Sequence, residues 1–244
     1  MTKNRMLAAL GALALLLGLT ACGADGAGQD TPGAPETPQA TAPALRYTNG
    51  LFGYTLDMPE GWAGHYAVQE FAGEATVSST DNGEFGGMLF TIEWAAGEDW
   101  HGAWQDGEDA PFSVRFLAEQ DGLVLYARFP SDIQYDPGDA EKTEIYGKMR
   151  GETDAVLDTF ARTGTAFPEI RTGGIIQAGE DEMVLEDEAG YPPAGNLTAY
   201  VNGEDVKSEL TYDELRAQPG LYEGRTFQIF IKDGAVALLN EIQE

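Results

Sequence analysis

Apolar and polar residues alternate from Phe52 onward. Phe52, Tyr54, Leu56 and Met58 are separated by Gly53, Thr55 and Asp57, the period-two pattern of a half-buried strand. Pro59-Glu60-Gly61 closes that run, because Pro and Gly punctuate turns. Further strands are expected over 66–71, 75–79 and 88–94, the last with Met88, Phe90, Ile92 and Trp94 on one face. Residues 113–119 and 123–129, separated by Gln120-Asp121-Gly122, read as a hairpin. The connections are too short for helical crossovers, so antiparallel pairing is expected.

Between Asp139 and Phe160 the period changes. Ile145, Tyr146, Met149, Val156, Leu157 and Phe160 fall at spacings that share one helical face. Gly151 interrupts the stretch and costs about 1 kcal/mol relative to Ala, so a break or kink is expected there. One helix laid over an antiparallel sheet gives an α+β sandwich. After Pro168 strands return over 175–178, 183–187 and 197–201. Thr211, with Glu214 three residues on, predicts a capped helical turn to Ala217. Phe227, Ile229 and Ile231 lead through Lys232-Asp233-Gly234 into an apolar run over 235–239, a second hairpin. Five short strands in this tail suggest a small β-rich, barrel-like domain. The division expected is 1–21, 22–44, 45–165 and 168–244.

The stretch Phe52-Gly-Tyr-Thr-Leu-Asp-Met-Pro-Glu-Gly-Trp62, with Pro130-Ser-Asp-Ile-Gln-Tyr135 and the helix end Val156-Leu-Asp-Thr-Phe160, resembles a group of exported proteins of Gram-positive bacteria with a PsbP-like α-β-α sandwich. The resemblance spans about residues 45 to 163. It implies a sheet covered by a C-terminal helix, and binding or accessory modules more often than enzymes. Its most specific element, the strand followed by Pro-x-Gly-Trp, is structural, so no catalytic residue follows from it. The tail only loosely resembles small OB-like barrels.

The amino terminus has a different character. Lys3 and Arg5 precede an uncharged apolar run from Leu7 to Leu19, then Thr20, Ala21 and Cys22. A basic stub, a short apolar run and small residues are the parts of a secretory signal. The run falls short of the roughly 20 residues a membrane span needs. Leu19-Thr20-Ala21-Cys22 resembles the bacterial lipobox, which implies diacylglycerol on the Cys22 sulfur and cleavage just before it. Cys22 is the single cysteine, so no disulfide is available within one chain. Two or three acyl chains give a stable anchor, since one alone is marginal. Residues 23–44 hold Pro32, Pro35, Pro38 and Pro43 among Gly, Ala, Thr and Gln, without an aromatic or a leucine. Such a segment buries too little to offset ordering entropy and reads as a disordered tether.

Charge narrows the partners. The 244 residues carry 14 Lys and Arg against 41 Asp and Glu, net −27. Lys3 and Arg5 are the only charges in the first 21 residues, so 12 basic and 41 acidic groups lie beyond them, net −29. Nucleic-acid affinity rests on cations neutralising phosphates, and anionic headgroups attract polybasic segments. This field repels both, and it keeps a protein soluble beside a negative surface.

Few residues suggest chemistry. Two histidines, His65 and His101, are distant in sequence, and no HxxxH or CxxC is present, so no metal site is expected. Calcium loops need acids at alternate positions around a Gly with a closing Glu, which neither 81–84 nor 180–182 supplies. There is no GxSxG elbow, P-loop or GxGxxG opening a helix, and no cofactor is expected. The densest aromatic patch is Trp94, Trp100, His101 and Trp104, with Trp62 as a possible neighbour. Such residues can stack sugars or grip peptides, or simply pack the sheet. The expectation is a lipid-anchored, extracytoplasmic, non-catalytic module that meets the membrane through Cys22 and binds a protein, peptide or glycan. A carboxylate-based or cation-dependent hydrolase and a passive scaffold are the alternatives.

Overall fold

Leu45–Asn49 (β1) and Tyr54–Met58 (β2) open the fold as an antiparallel pair, with Leu45 opposite Met58 and Asn49 opposite Tyr54. The Asn49 side chain closes their turn by accepting from the Phe52 N–H at 2.8 Å. The computed structural model describes residues 45–103, 113–164, 166–203 and 206–243. Cys22, the expected signal peptide and the tether lie outside the described residues, as does Trp104.

Five strands form the first large sheet: Tyr66–Phe71 (β3), Glu74–Ser79 (β4), Met88–Ala96 (β5), Val114–Gln120 (β6) and Leu123–Arg128 (β7). Their order is β3-β4-β5-β7-β6, all antiparallel. Ala72-Gly73 joins β3 to β4 and Asp121-Gly122 joins β6 to β7, each with both residues at positive φ. Two left-handed residues in a two-residue loop match the twist of paired strands. The short helix Gly97–Ala103 (α1) follows β5 directly.

The central strand departs from strict alternation. Residues 89–93 of β5 are all buried, the odd positions as well as the even ones. Phe90 and Ile92 enter the main core. Glu93 and Thr91 point to the opposite face, where Trp100 of α1 packs on Tyr126 with ring centroids 4.8 Å apart.

Ala140–Asp158 (α2) runs unbroken for 19 residues, so the break expected at Gly151 is absent. Tyr146 and Met149 before the glycine and Thr153, Val156 and Leu157 after it are buried in one stripe. Tertiary burial of that stripe outweighs the weak helix propensity of a single exposed glycine. Asp139 caps the helix by accepting from the Glu141 and Lys142 N–H groups, both at 3.1 Å. At the other end the Asp57 N–H donates to Thr159 Oγ1 at 2.8 Å, pinning the helix to β2. Ala161–Arg162 (β8) then completes a small sheet in the order β1-β2-β8.

The tail contains Glu169–Gly173 (β9), Ile175–Ala178 (β10), Met183–Leu185 (β11), Gly190–Tyr191 (β12), Pro193–Asn202 (β13) and Lys207–Thr211 (β14). After them come Tyr212–Arg216 (α3), Phe227–Lys232 (β15) and Ala235–Glu241 (β16). The capping box on α3 is present, with Thr211 and Glu214 bonding each other's backbone N–H. The main sheet runs β14-β13-β16-β15-β9, with β13 parallel to β16 and every other pair antiparallel. A second sheet, β10-β11-β12, shares its core through Met183, Leu185 and Ile175. No pairing among the described residues joins the edge strands β14 and β9, so the strand order is open where a barrel would close. The chain is thus a mixed α+β protein built mostly of sheets, and among the described residues no helix is long and apolar enough to cross a membrane.

The two β-rich lobes pack together. Phe227, Ile229 and Ile231 of β15 face the tail's own core, while Phe230 turns the other way and joins the first core. There it meets Phe52 and Trp94 edge-on, at 6.4 and 5.5 Å.

Candidate functional site: the cleft between the lobes

The tryptophans singled out by sequence do not converge. Trp62 sits in the 3-10 turn Glu60–Trp62 after Pro59 and is 1% exposed. Its indole Nε1 donates to Glu152 Oε2 of α2 at 2.7 Å, which makes it a core residue with a satisfied polar edge. Trp100 is 4% exposed, sandwiched near Tyr126 and Phe116 on the sheet face away from α2. His101, on the same helix, is exposed and its Nε2 lies 3.1 Å from Glu119 Oε2. Trp94, of the three described tryptophans, lines a cavity of about 730 Å³. Its position follows from β5, where it continues the face of Phe90 and Ile92 beyond the edge of the core.

That cavity belongs to a cleft divided by the β3–β4 hairpin. The hairpin tip reaches into the second lobe: Phe71 packs against Tyr200 with centroids 4.6 Å apart and ring planes tilted by 59°, and the Tyr200 hydroxyl donates to the Glu70 carbonyl at 3.4 Å. Gly73 has φ +90°, and a Cβ there would lie 3.0 Å from the Phe230 ring and 3.3 Å from Trp94 Nε1. Glycine is therefore required by both conformation and space. On one side of the tip lies a hollow of about 370 Å³, bounded by Asn49, Glu70, Thr198, Tyr200 and Asp233 among others. On the other lies one of about 730 Å³, where Trp94 is flanked by Glu74, Asp99, Lys207, Gln228 and Asn240.

The electrostatics of this second hollow are unusual for so acidic a chain. Glu74 is solvent-accessible at the start of β4, yet desolvation by the cleft walls, reinforced by the neighbouring Glu93, raises its carboxyl above the ordinary carboxylate value. Glu93 itself accepts from the Tyr126 hydroxyl at 2.8 Å and from Arg128 Nε at 2.5 Å. Desolvation lowers the Lys207 ammonium below its ordinary value, against the pull of Glu241 and Glu74. Lys207 Nζ donates to Asn240 Oδ1 and to the Glu241 carbonyl. Behind Glu70, which lines the smaller hollow, the Tyr47 hydroxyl donates to Glu70 Oε1 at 2.5 Å, and burial raises that phenol well above the usual range.

Sequence gave little warning of these groups. With 41 acids in the chain, Glu74 and Glu93 carry no distinguishing pattern. Asn240 left one trace, a polar residue directly following an apolar strand run. Both histidines lie outside the two hollows, with His65 Nδ1 2.8 Å from Asp81 Oδ2 and His101 on Glu119. Among the described residues no group of three or more His, Cys, Asp or Glu is placed to hold a metal. What the cleft offers is an aromatic edge, planar amides and carboxylates, and one half-buried amine, a set that recognises polar ligands by hydrogen bonding beside an apolar surface.

No family model, curated protein or solved structure matches the chain.

Proposed function

We propose that the chain is a lipid-anchored module of the extracytoplasmic membrane face, which binds a polar component of the cell envelope, a basic peptide or a glycan, in the cleft beside Trp94. The observation that carries this reading is the 730 Å³ hollow in which Trp94 is ringed by Glu74, Asp99, Gln228 and Asn240. An aromatic side chain among planar hydrogen-bonding groups suits a ligand with both an apolar surface and many donors. The surplus of 41 acids over 14 bases favours donors that are cationic. Support for the anchor comes from the run ending Leu19-Thr20-Ala21-Cys22. The PsbP-like reading of the first lobe belongs with this proposal, supported by the five-stranded antiparallel sheet and by α2.

Two measurements test it. Metabolic labelling with a fatty acid should mark the wild-type chain and fail on Cys22→Ala; equal labelling of both removes the anchor. Titrating lysine-rich peptides and envelope glycans against tryptophan fluorescence should give a saturable change that Trp94→Ala loses. A ligand that binds the folded state must also raise the melting temperature. Absence of any saturable response, or turnover of the added glycan or peptide, would remove the binding-module reading.

A further inference from the structure

We infer that Lys207 and Asn240 become joined by an intramolecular amide bond between Nζ and Cγ, with release of ammonia. The two side chains that would react are already in contact. Lys207 Nζ already donates to Asn240 Oδ1, and a second bond to the Glu241 carbonyl at 2.7 Å holds it there. The carboxamide is held too: Asn240 is 8% exposed and its Nδ2 donates to Gln228 Oε1 at 3.0 Å. Fixing both partners turns a bimolecular reaction into an intramolecular one, the condition under which weak nucleophiles become effective.

The surroundings favour the reactive forms. Desolvation lowers Lys207, so the neutral amine with its free lone pair is reached at lower pH than on a surface lysine. Two carboxyl groups act on that amine, Glu241 and Glu74. Glu241 Oε2 is occupied by the Asn202 N–H at 2.6 Å and by Arg225 Nη1 at 2.9 Å. Glu74 lines the same hollow as Lys207 and Asn240, and although it is solvent-accessible, desolvation by the cleft walls and the charge of Glu93 raise it, so it holds a proton more readily than an isolated carboxyl. Glu74 is therefore assigned the proton relay.

The step balances without any other reactant. The Nζ lone pair adds to Cγ, and the carbonyl electrons move to Oδ1. Glu74 gives its proton to Nδ2, the Cγ–Nδ2 bond breaks as the carbonyl re-forms, and ammonia leaves. The resulting Glu74 carboxylate takes one proton from Nζ, which restores the acid and leaves a neutral amide. One C–N bond forms, one breaks, and nothing is oxidised or reduced. The link spans from edge strand β14 to β16 across β13, in a chain whose single cysteine leaves no disulfide within it.

A tryptic digest of the full chain, denatured after folding, reads the bond directly. Trypsin cuts after Lys207 only while its amine is free. The linked chain should yield residues 172–216 uncut at Lys207 and branched onto residues 233–244, lighter than the two peptides together by one ammonia. Lys207→Arg and Asn240→Ala should each give the unbranched peptides, and Glu74→Gln should stay unlinked. Release of residues 208–216 and 233–244 as separate peptides in full yield from the wild-type chain overturns the proposal. A branched peptide persisting in Glu74→Gln overturns the assignment of Glu74. Neither result depends on the cleft ligand or the lipid anchor.

Discussion

Trp94 and Phe230 meet edge-on, centroids 5.5 Å apart and ring planes at 90°, and the pair bridges β5 of the first sheet and β15 of the second. Phe230 is fully buried yet belongs to the core of the lobe that does not contain it. Phe230→Ala should cost about 3–5 kcal/mol, the usual range for a buried aromatic lost to a cavity. Urea unfolding followed by tryptophan fluorescence measures it. A midpoint close to wild type would mean that contact between the lobes contributes little to the fold.

Gly73 supports the same contact from the hairpin side. Gly73→Ala forces a Cβ against the Phe230 ring at a residue with φ +90°. It should destabilise by more than about 1 kcal/mol, since Ala at positive φ is strained even where space is free. Thermal melts should show the loss. Gly64→Ala serves as the comparison: its φ is +80° but nothing lies within 4 Å, so conformational strain acts there without the clash and the loss should be smaller.

Glu152 is expected to matter for stability through one atom. Removing it in Glu152→Ala leaves the Trp62 Nε1–H without its 2.7 Å acceptor beside the core. An unsatisfied buried donor costs about 1–3 kcal/mol. Glu152→Gln keeps an acceptor and should lose less. Equal stability of the Ala and Gln variants in denaturant titration would show that water replaces the carboxylate.

The capping box of α3 should titrate. Bonds from the Thr211 backbone and side chain hold the Glu214 carboxyl below its ordinary value of 4.5. A depressed folded value means the stabilisation is complete above pH 4.5 and fades as the pH falls through the lower folded value. The wild-type chain should therefore exceed Glu214→Gln in stability at pH 7, with the gap closing under acid. A gap that is constant from pH 7 to about pH 3 would contradict the linkage.

Much of the local structure was legible along the chain. The period-two runs located β2 to β7, and Asp121-Gly122 and Asp233-Gly234 marked two hairpins because paired positive φ favours those residues. Thr211 with Glu214 announced its capping box. Strands β9 and β14 went unseen, since Glu169-Ile-Arg-Thr-Gly and Lys207-Ser-Glu-Leu-Thr lack apolar alternation. They are the two edges of their sheet, where only part of a strand is covered and polar residues are favoured. The continuous helix through Gly151 was hidden for a related reason: the burial that sustains it is supplied by β2 and β5, distant in sequence.

The sequence by itself determined which residues share a face, because strand and helix periods are local properties of the backbone. It also determined the acidity of the chain and the single cysteine at residue 22. Only the tertiary structure decided what each face meets. It buried Trp62 against α2, turned Trp100 to the far side of the sheet, and left Trp94 at the rim of a cleft. It also brought Glu74, Lys207 and Asn240 to one hollow. These residues come from β4, β14 and β16, and no periodicity relates them. Their meeting is a consequence of how two sheets pack, which depends on the shape of both surfaces together.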